Sequence, residues 1–247
     1  MSGLDKWREE IESLSAGKVV LVRVETEQPE NVLRIPAEFP GRAVVVRLLT
    51  QETFVRQFVQ AHALNVNYSG EEGVFHFILL NMARAADWQG REDDLLAHEY
   101  GHIWLAAKGY KSPAYADRCL AIAAGDIVQH ILVREEGARR GFDYPAFWKQ
   151  THEAWLEKEA AITDPPALDA CQKMLLVSEW VDATLAFAEG GWERRDAYLG
   201  LLSQRHPTMQ PVVEELAAWL SDADLWDHGT YQSALQHVAR TIAGMAE

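Results

Sequence analysis

The sequence changes character near Arg91, and this change restricts the folds open to the chain. Before it, short apolar runs such as Lys18–Val24 and Val74–Asn81 have the length and the β-branched or aromatic content of strands. After it, apolar residues recur at helical spacing almost to the C-terminus. We therefore predict an α+β fold with an N-terminal α+β part over residues 1–90 and a mostly helical part over residues 91–247. The two parts are expected to form one compact unit.

Each part gives definite predictions of its elements. In the N-terminal part we expect helices over 4–15 and 51–64, strands over 18–24, 43–49 and 74–81, and a loop around Pro29, Pro36 and Pro40. In the C-terminal part we expect helices over 92–108, 114–139, 145–160, 167–188, 193–204, 209–221 and 230–245.

Composition disfavours several classes of function. The chain has 247 residues, and 48% of them are hydrophobic, which is enough for a sizeable core. Its 37 acidic and 23 basic residues give a net charge of −14, so we expect no nucleic-acid partner. No stretch has the apolar length of a membrane span, and the first residues contain no apolar signal core. We therefore expect no membrane partner and a cytoplasmic location.

The two cysteines, Cys119 and Cys171, are too few for the disulfide framework of a small secreted domain. We expect both to be thiols in the core of a cytoplasmic protein. Metal ligation by Cys119 is the alternative interpretation.

The most specific motif of the chain is His98-Glu99-Tyr100-Gly101-His102, which reads HExxH. It lies in an apolar segment predicted to be helical, which Asp93 or Asp94 can cap at its start and Gly109 can end. Histidines four residues apart project from one face of a helix, about one turn from each other. His98 and His102 can therefore bind one zinc ion, and Glu99 can address a water at an open position of the metal.

With the preceding strand Val74–Asn81, this motif resembles the zincin metallopeptidases, and more narrowly their gluzincin branch. The resemblance implies a zincin-like fold, bound Zn²⁺, and hydrolysis of a peptide or protein substrate with Glu99 as the general base. It also implies that an edge strand lies beside the motif helix and binds the substrate by strand addition. On this basis Val74–Asn81 is expected to be that edge strand.

A catalytic zinc usually has three protein ligands, so a third must come from elsewhere in the chain. Asp126 and His130 follow His102 by 24 and 28 residues and share a face of a strongly apolar predicted helix, where unpaired polar groups are costly. In gluzincins the third ligand is a glutamate on a second helix at a comparable separation. We favour Asp126 as the third ligand, with His130 as the alternative. The remaining candidates are Glu135, Glu136 and Asp117.

Two other functions stay open at this stage. The chain can be a regulatory or partner-binding protein that has the zincin fold and binds metal but has no general peptidase activity. It can also be a helical interaction protein in which the HExxH pattern is accidental. Metal content and stability after chelation distinguish these cases. The oxyanion donor is also open, with Tyr110, Tyr115, Tyr144, His130 and His206 as candidates.

Overall fold

The computed structural model describes residues 2–24, 39, 41–51, 54–55, 58–59, 61–71, 73–162, 167–188 and 190–246, and the predicted proline-containing loop at 29–40 lies almost wholly outside them. The described part of the chain is α+β, mostly helical with a small mixed sheet. The strands are β1 (Lys18–Val24), β2 (Ala63–Gly70) and β3 (Gly73–Asn81). The helices are α1 (Gly3–Ser15), α2 (Arg42–Leu49), a 3-10 helix (Met82–Trp88), α3 (Glu92–Ala107), α4 (Arg118–Arg139), α5 (Tyr144–Ala160), α6 (Ala170–Ala186), α7 (Arg195–Arg205), α8 (Gln210–Ser221) and α9 (His228–Ala246).

Most element predictions are confirmed, and the errors fall between β1 and β3. The predicted strand at 43–49 is α2, because Val44, Val45 and Leu48 bury one helical face in a hydrophobic cluster. The predicted helix at 51–64 is wrong at its end, because Ala63 begins β2. The signal for β2 was the strict alternation of apolar and polar residues after Ala63, which is typical of a half-buried strand.

The sheet has the strand order β1-β3-β2, with β3 parallel to β1 and antiparallel to β2. The prediction that Val74–Asn81 is an edge strand is therefore wrong, since β3 is hydrogen-bonded on both sides. Its nearly continuous apolar sequence reflects burial on both faces, which is typical of an inner strand. In the described sheet the edge strand β2 packs against α3, and the edge strand β1 reaches the same helix through the Arg23–Glu92 ion pair.

The two faces of the sheet have different neighbours. On one face, the side chains of β3 pack with β1 and α2 in a cluster that includes Phe75, Phe77 and Leu79. Leu64, Val66 and Tyr68 of β2 pack against the same cluster. Because side chains alternate along a strand, Asn65 and Asn67 belong to the opposite face. Asn65 on this second face donates a hydrogen bond to the motif helix, which is described below.

The chain divides into two compact units. The first unit comprises Met1–Lys108 and Arg140–Phe147, and the second comprises Gly109–Arg139 and Trp148–Glu247. The motif helix α3 thus belongs to the same unit as the sheet, where it contacts α1, β2 and β3. The first unit begins with a capping box at α1, in which Ser2 and Asp5 satisfy each other's backbone N–H groups.

In the second unit, α6 contacts α4, α7, α8 and α9. The expectation of two thiols is wrong, because Cys119 of α4 and Cys171 of α6 form a disulfide. Eleven residues after each cysteine, His130 of α4 and Asp182 of α6 are again neighbours. The equal spacing indicates that α4 and α6 run parallel and make two side-chain connections about 16 Å apart along their axes.

None of the helices in the described ranges combines the length and apolar composition that crossing a membrane requires.

The disulfide closes a chain segment with a sequence separation of 52 residues. We predict that Cys119→Ser/Cys171→Ser lowers the free energy of unfolding by about 4 kcal/mol, because the unbridged unfolded chain gains the entropy that the closed loop denies it. Urea unfolding monitored by circular dichroism measures this change. Wild-type protein treated with a thiol reductant should show the same loss, and an unchanged unfolding midpoint in both samples would contradict the prediction.

His152 of α5 is a buried titratable group in the second unit. Its ring stacks on Trp148 and Trp192 and also contacts Tyr198. Burial disfavours the charged imidazolium and lowers the pKa of His152 to about 4, against the opposing charge of Asp182. The folded protein therefore keeps this ring neutral at pH values where the unfolded chain protonates it.

This depressed pKa predicts a loss of stability in mild acid. Between pH 6.5 and 4 the unfolded chain binds the additional proton, so stability falls as the pH falls through this window. At pH 4.5 the His152 contribution amounts to roughly 2–3 kcal/mol, since one pKa unit corresponds to about 1.4 kcal/mol. His152→Phe should therefore lose that much less stability than wild type between pH 7 and pH 4.5 in urea titrations. Parallel losses in the two proteins would show that His152 is not responsible.

Candidate metal centre

The central turns of α3, between Leu95 and Leu105, are buried on most sides, which brings His98 and Glu99 into the interior of the first unit. Ten residues of the helix are buried, and His102 is half-buried. Polar groups in such a buried segment must find partners. Acidic residues occupy its first turn, but Arg91 stands at the N-cap, so the predicted cap by Asp93 or Asp94 is wrong. Gly109, with φ +96°, follows the helix as expected.

The HExxH spacing places the two histidine rings against each other. The Nε2 atoms of His98 and His102 are 3.1 Å apart, and the ring planes are nearly perpendicular at 89°. Two nitrogens bound to one tetrahedral zinc, each at about 2.0–2.1 Å, lie about 3.3 Å from each other. The observed separation thus fits a shared metal ion with little movement of either ring.

The side chain of Glu99 is hydrogen-bonded to a residue of the sheet. The side-chain Nδ2 of Asn65 in β2 donates a hydrogen bond of 3.1 Å to Oε2 of Glu99, whose side chain is buried. An amide donor at this distance holds one oxygen of the carboxylate in place, and a general base must be positioned in this way. Asn65 was not among the residues singled out from the sequence. The polar alternation of β2 was the available signal for it.

The two candidates for a third ligand lie on α4 in the second unit. Burial raises the pKa of Asp126, and Asp182 raises it further, while His130 acts in the opposite direction. Burial lowers the pKa of His130, but the carboxylates of Asp182 and Asp126 outweigh that effect and raise it. Asp126 and His130 are both half-buried, and each shifts the pKa of the other, as expected for residues one turn apart on a helix.

Asp182 of α6 is the centre of this charge cluster. It accepts a hydrogen bond from Arg134 Nη1, and its Oδ1 lies 3.7 Å from Nδ1 of His130. Burial alone would raise the pKa of Asp182, but the Arg134 guanidinium and His130 hold it well below its usual range. Asp182 therefore stays ionised and can fix the orientation of the His130 ring. Asp182 could not be identified from the sequence, because no local pattern indicates that α6 pairs with α4.

Three histidines of the described residues, His98, His102 and His130, form the group that could hold a metal ion. The prediction of Asp126 as the third ligand stays a prediction. Among the other acidic candidates, Glu135 accepts a hydrogen bond from Trp226, Glu136 contacts Arg139, and Asp117 caps the start of α4 through the Leu120 N–H.

Two of the tyrosines considered as oxyanion donors have structural partners in the second unit. Tyr110 donates to the carbonyl of Trp226, and Tyr115 donates to the carbonyl of Leu235. The side chain of Tyr144 lies outside the described atoms. These hydrogen bonds anchor the segment between α3 and α4 to α9 and the residues just before it.

Comparisons with protein-family models, curated proteins and solved structures give no match to this chain.

The Arg134–Asp182 pair should contribute strongly to stability, because both side chains are about one-tenth exposed or less. We predict that Arg134→Met lowers the free energy of unfolding by about 3–5 kcal/mol, since it leaves a buried carboxylate without its main counter-charge. Arg194→Met is the matched control, because Arg194 pairs with Glu157 in solvent and its loss should cost at most about 1 kcal/mol. Equal effects of the two substitutions in urea unfolding would contradict the assignment.

Proposed function

We propose that this protein is a zinc-dependent peptidase with a zincin-like arrangement, in which His98 and His102 bind the metal and Glu99 is the general base. The observation that carries the proposal is the 3.1 Å separation of the two histidine Nε2 atoms within one buried helical turn. The carboxylate beside them is itself oriented by Asn65. Histidine pairs with a neighbouring glutamate at this spacing are typical of hydrolytic zinc sites.

We propose His130 as the third ligand in preference to Asp126. A metal-binding histidine usually has its other ring nitrogen held by a carboxylate, which fixes the ring and strengthens it as a ligand. Asp182 stands in that relation to Nδ1 of His130, and Arg134 keeps Asp182 charged. Three imidazoles form a donor set that suits zinc, although copper, nickel and iron also bind imidazole.

The chemistry assigned to the protein's own groups is proton transfer. Zinc, when bound, would polarise the scissile carbonyl and acidify a water at its open position. Glu99 would take a proton from the attacking water as the water oxygen bonds to the carbonyl carbon. It would then deliver that proton to the amine nitrogen as the carbon–nitrogen bond breaks. The substrate in this proposal is a peptide or a protein.

The compartment in which this reaction takes place bears on the disulfide. A cytoplasmic location remains the prediction from the sequence, but the Cys119–Cys171 bond favours an oxidising environment, because cytosolic thiol systems keep most cysteines reduced. The protein should therefore be purified and assayed both with and without reductant.

Metal content and hydrolysis together test the proposal. Protein loaded with Zn²⁺ and freed of excess metal should hold about one ion per chain. Glu99→Gln should retain that ion while peptide hydrolysis falls by about 10²–10⁴-fold, because only the base is removed. His98→Ala, His102→Ala and His130→Ala should each lose the metal. His237→Ala is the matched control, because His237 packs against Trp219 and Glu215 and has no role in the proposed site, and it should keep both metal and activity.

Four results would contradict the proposal, each at a different point. Wild-type protein without stoichiometric metal would exclude the metal site. Retention of the metal by His130→Ala with loss in Asp126→Asn would assign the third ligand to Asp126. A metal-loaded wild type that cleaves no member of a mixed peptide library would favour the partner-binding alternative. Rates at the wild-type level in zinc-loaded Glu99→Gln would exclude Glu99 as the base.

A further inference from the structure

We propose that Asn65 is a positioning residue that sets the orientation of the Glu99 carboxylate for proton transfer. This inference rests on the proposed function and adds a residue that lies in the sheet and outside the HExxH motif. It concerns a single oxygen, Oε2 of Glu99, which receives the hydrogen bond of 3.1 Å from the Asn65 amide.

The chemistry of the pair determines which group donates. An ionised carboxylate can only accept hydrogen bonds, so the amide nitrogen of Asn65 must face Glu99. The last torsion of a glutamate side chain has a broad energy profile, and the carboxylate of an unsupported glutamate rotates readily. A donor fixed on one oxygen restricts that rotation. The oxygen of a general base must lie within about 2.6–3.2 Å of the atom whose proton it takes, so the orientation of the carboxylate bears directly on the rate.

The backbone of Asn65 is fixed by the pairing of β2 with the inner strand β3. In the antiparallel pair of β2 and β3, Asn65 is opposite Ile78, whose side chain is fully buried. Two residues later, Asn67 lies on the same face and contacts Nδ1 of His76 at 2.6 Å through its amide oxygen. Both asparagines therefore have side-chain partners, which are Glu99 of the motif helix for Asn65 and His76 of β3 for Asn67.

This difference provides a matched pair of substitutions. Leucine has nearly the shape of asparagine and lacks the donor, so Asn65→Leu removes the hydrogen bond to Glu99 with little change in volume. Asn67→Leu makes the same chemical change on the same face of the same strand without touching Glu99. A general disturbance of β2 would affect both variants alike.

In the kinetic experiment, zinc-loaded wild type, Asn65→Leu and Asn67→Leu are compared on one peptide substrate. Asn65→Leu should lower kcat by about 10–100-fold, the usual effect of removing a supporting residue next to a metal site. Its KM and metal content should stay within about twofold of wild type, because neither substrate binding nor a ligand is removed. Asn67→Leu should keep kcat within about threefold.

A stability measurement tests the same contact without activity. Asn65→Leu should lower the Tm of the purified protein by about 5 °C, since it leaves a buried carboxylate without this donor. In a Glu99→Leu background the same substitution should cause no such loss, because no carboxylate remains to be satisfied. This non-additivity is expected only if the two side chains interact.

Two results would overturn the inference while leaving the proposed function intact. One is an active wild type in which Asn65→Leu and Asn67→Leu have the same kcat. The other is an equal Tm loss from Asn65→Leu with and without Glu99. If the wild type binds metal but hydrolyses no peptide, the proposed function fails, and the positioning role fails with it even if the Tm cycle shows the contact.

Discussion

The burial of α3 is the constraint on which the account of this protein depends. A buried helical segment cannot leave an imidazole or a carboxylate without a partner, because desolvation of such a group costs several kcal/mol. His98 and Glu99 are nevertheless buried in its middle, and His102 lies against His98. The close approach of the two ring nitrogens is the arrangement that a shared cation stabilises. The Asn65 hydrogen bond serves the same requirement for the carboxylate between them.

The same constraint applies to α4 and α6 in the second unit. There the buried charges of Asp182 and Arg134 neutralise each other, and His130 joins them at a distance that allows a charge interaction. The Cys119–Cys171 disulfide connects the same two helices three turns earlier. The disulfide and the ion pair both connect α4 to α6 and so limit sliding of one helix along the other. The His130 ring is therefore kept level with Asp182 of α6.

The sequence predicted the residues whose roles depend on local spacing and missed those whose roles depend on pairing. Helical periodicity identified α3 and the His98–His102 pair, since i and i+4 positions meet without any tertiary information. The edge-strand assignment failed, because a run of apolar residues cannot distinguish an outer strand from an inner one buried on both faces. Asn65 and Asp182 could not be identified because their partners lie far away in the sequence, on other elements. Glu99 follows Asn65 by 34 residues, and Arg134 and His130 precede Asp182 by 48 and 52 residues. The cysteines pair only because α4 and α6 are neighbours.

X-ray absorption spectroscopy of the zinc-loaded wild-type protein tests the central claim most directly, because it reports the atoms around the metal without requiring a substrate. We predict one tightly held ion per chain with three imidazole nitrogens at about 2.0–2.1 Å and one oxygen at a similar distance, and loss of imidazole scattering in His98→Ala and His102→Ala. A first shell made up of oxygens alone, or a spectrum unchanged in both histidine variants, would contradict the account.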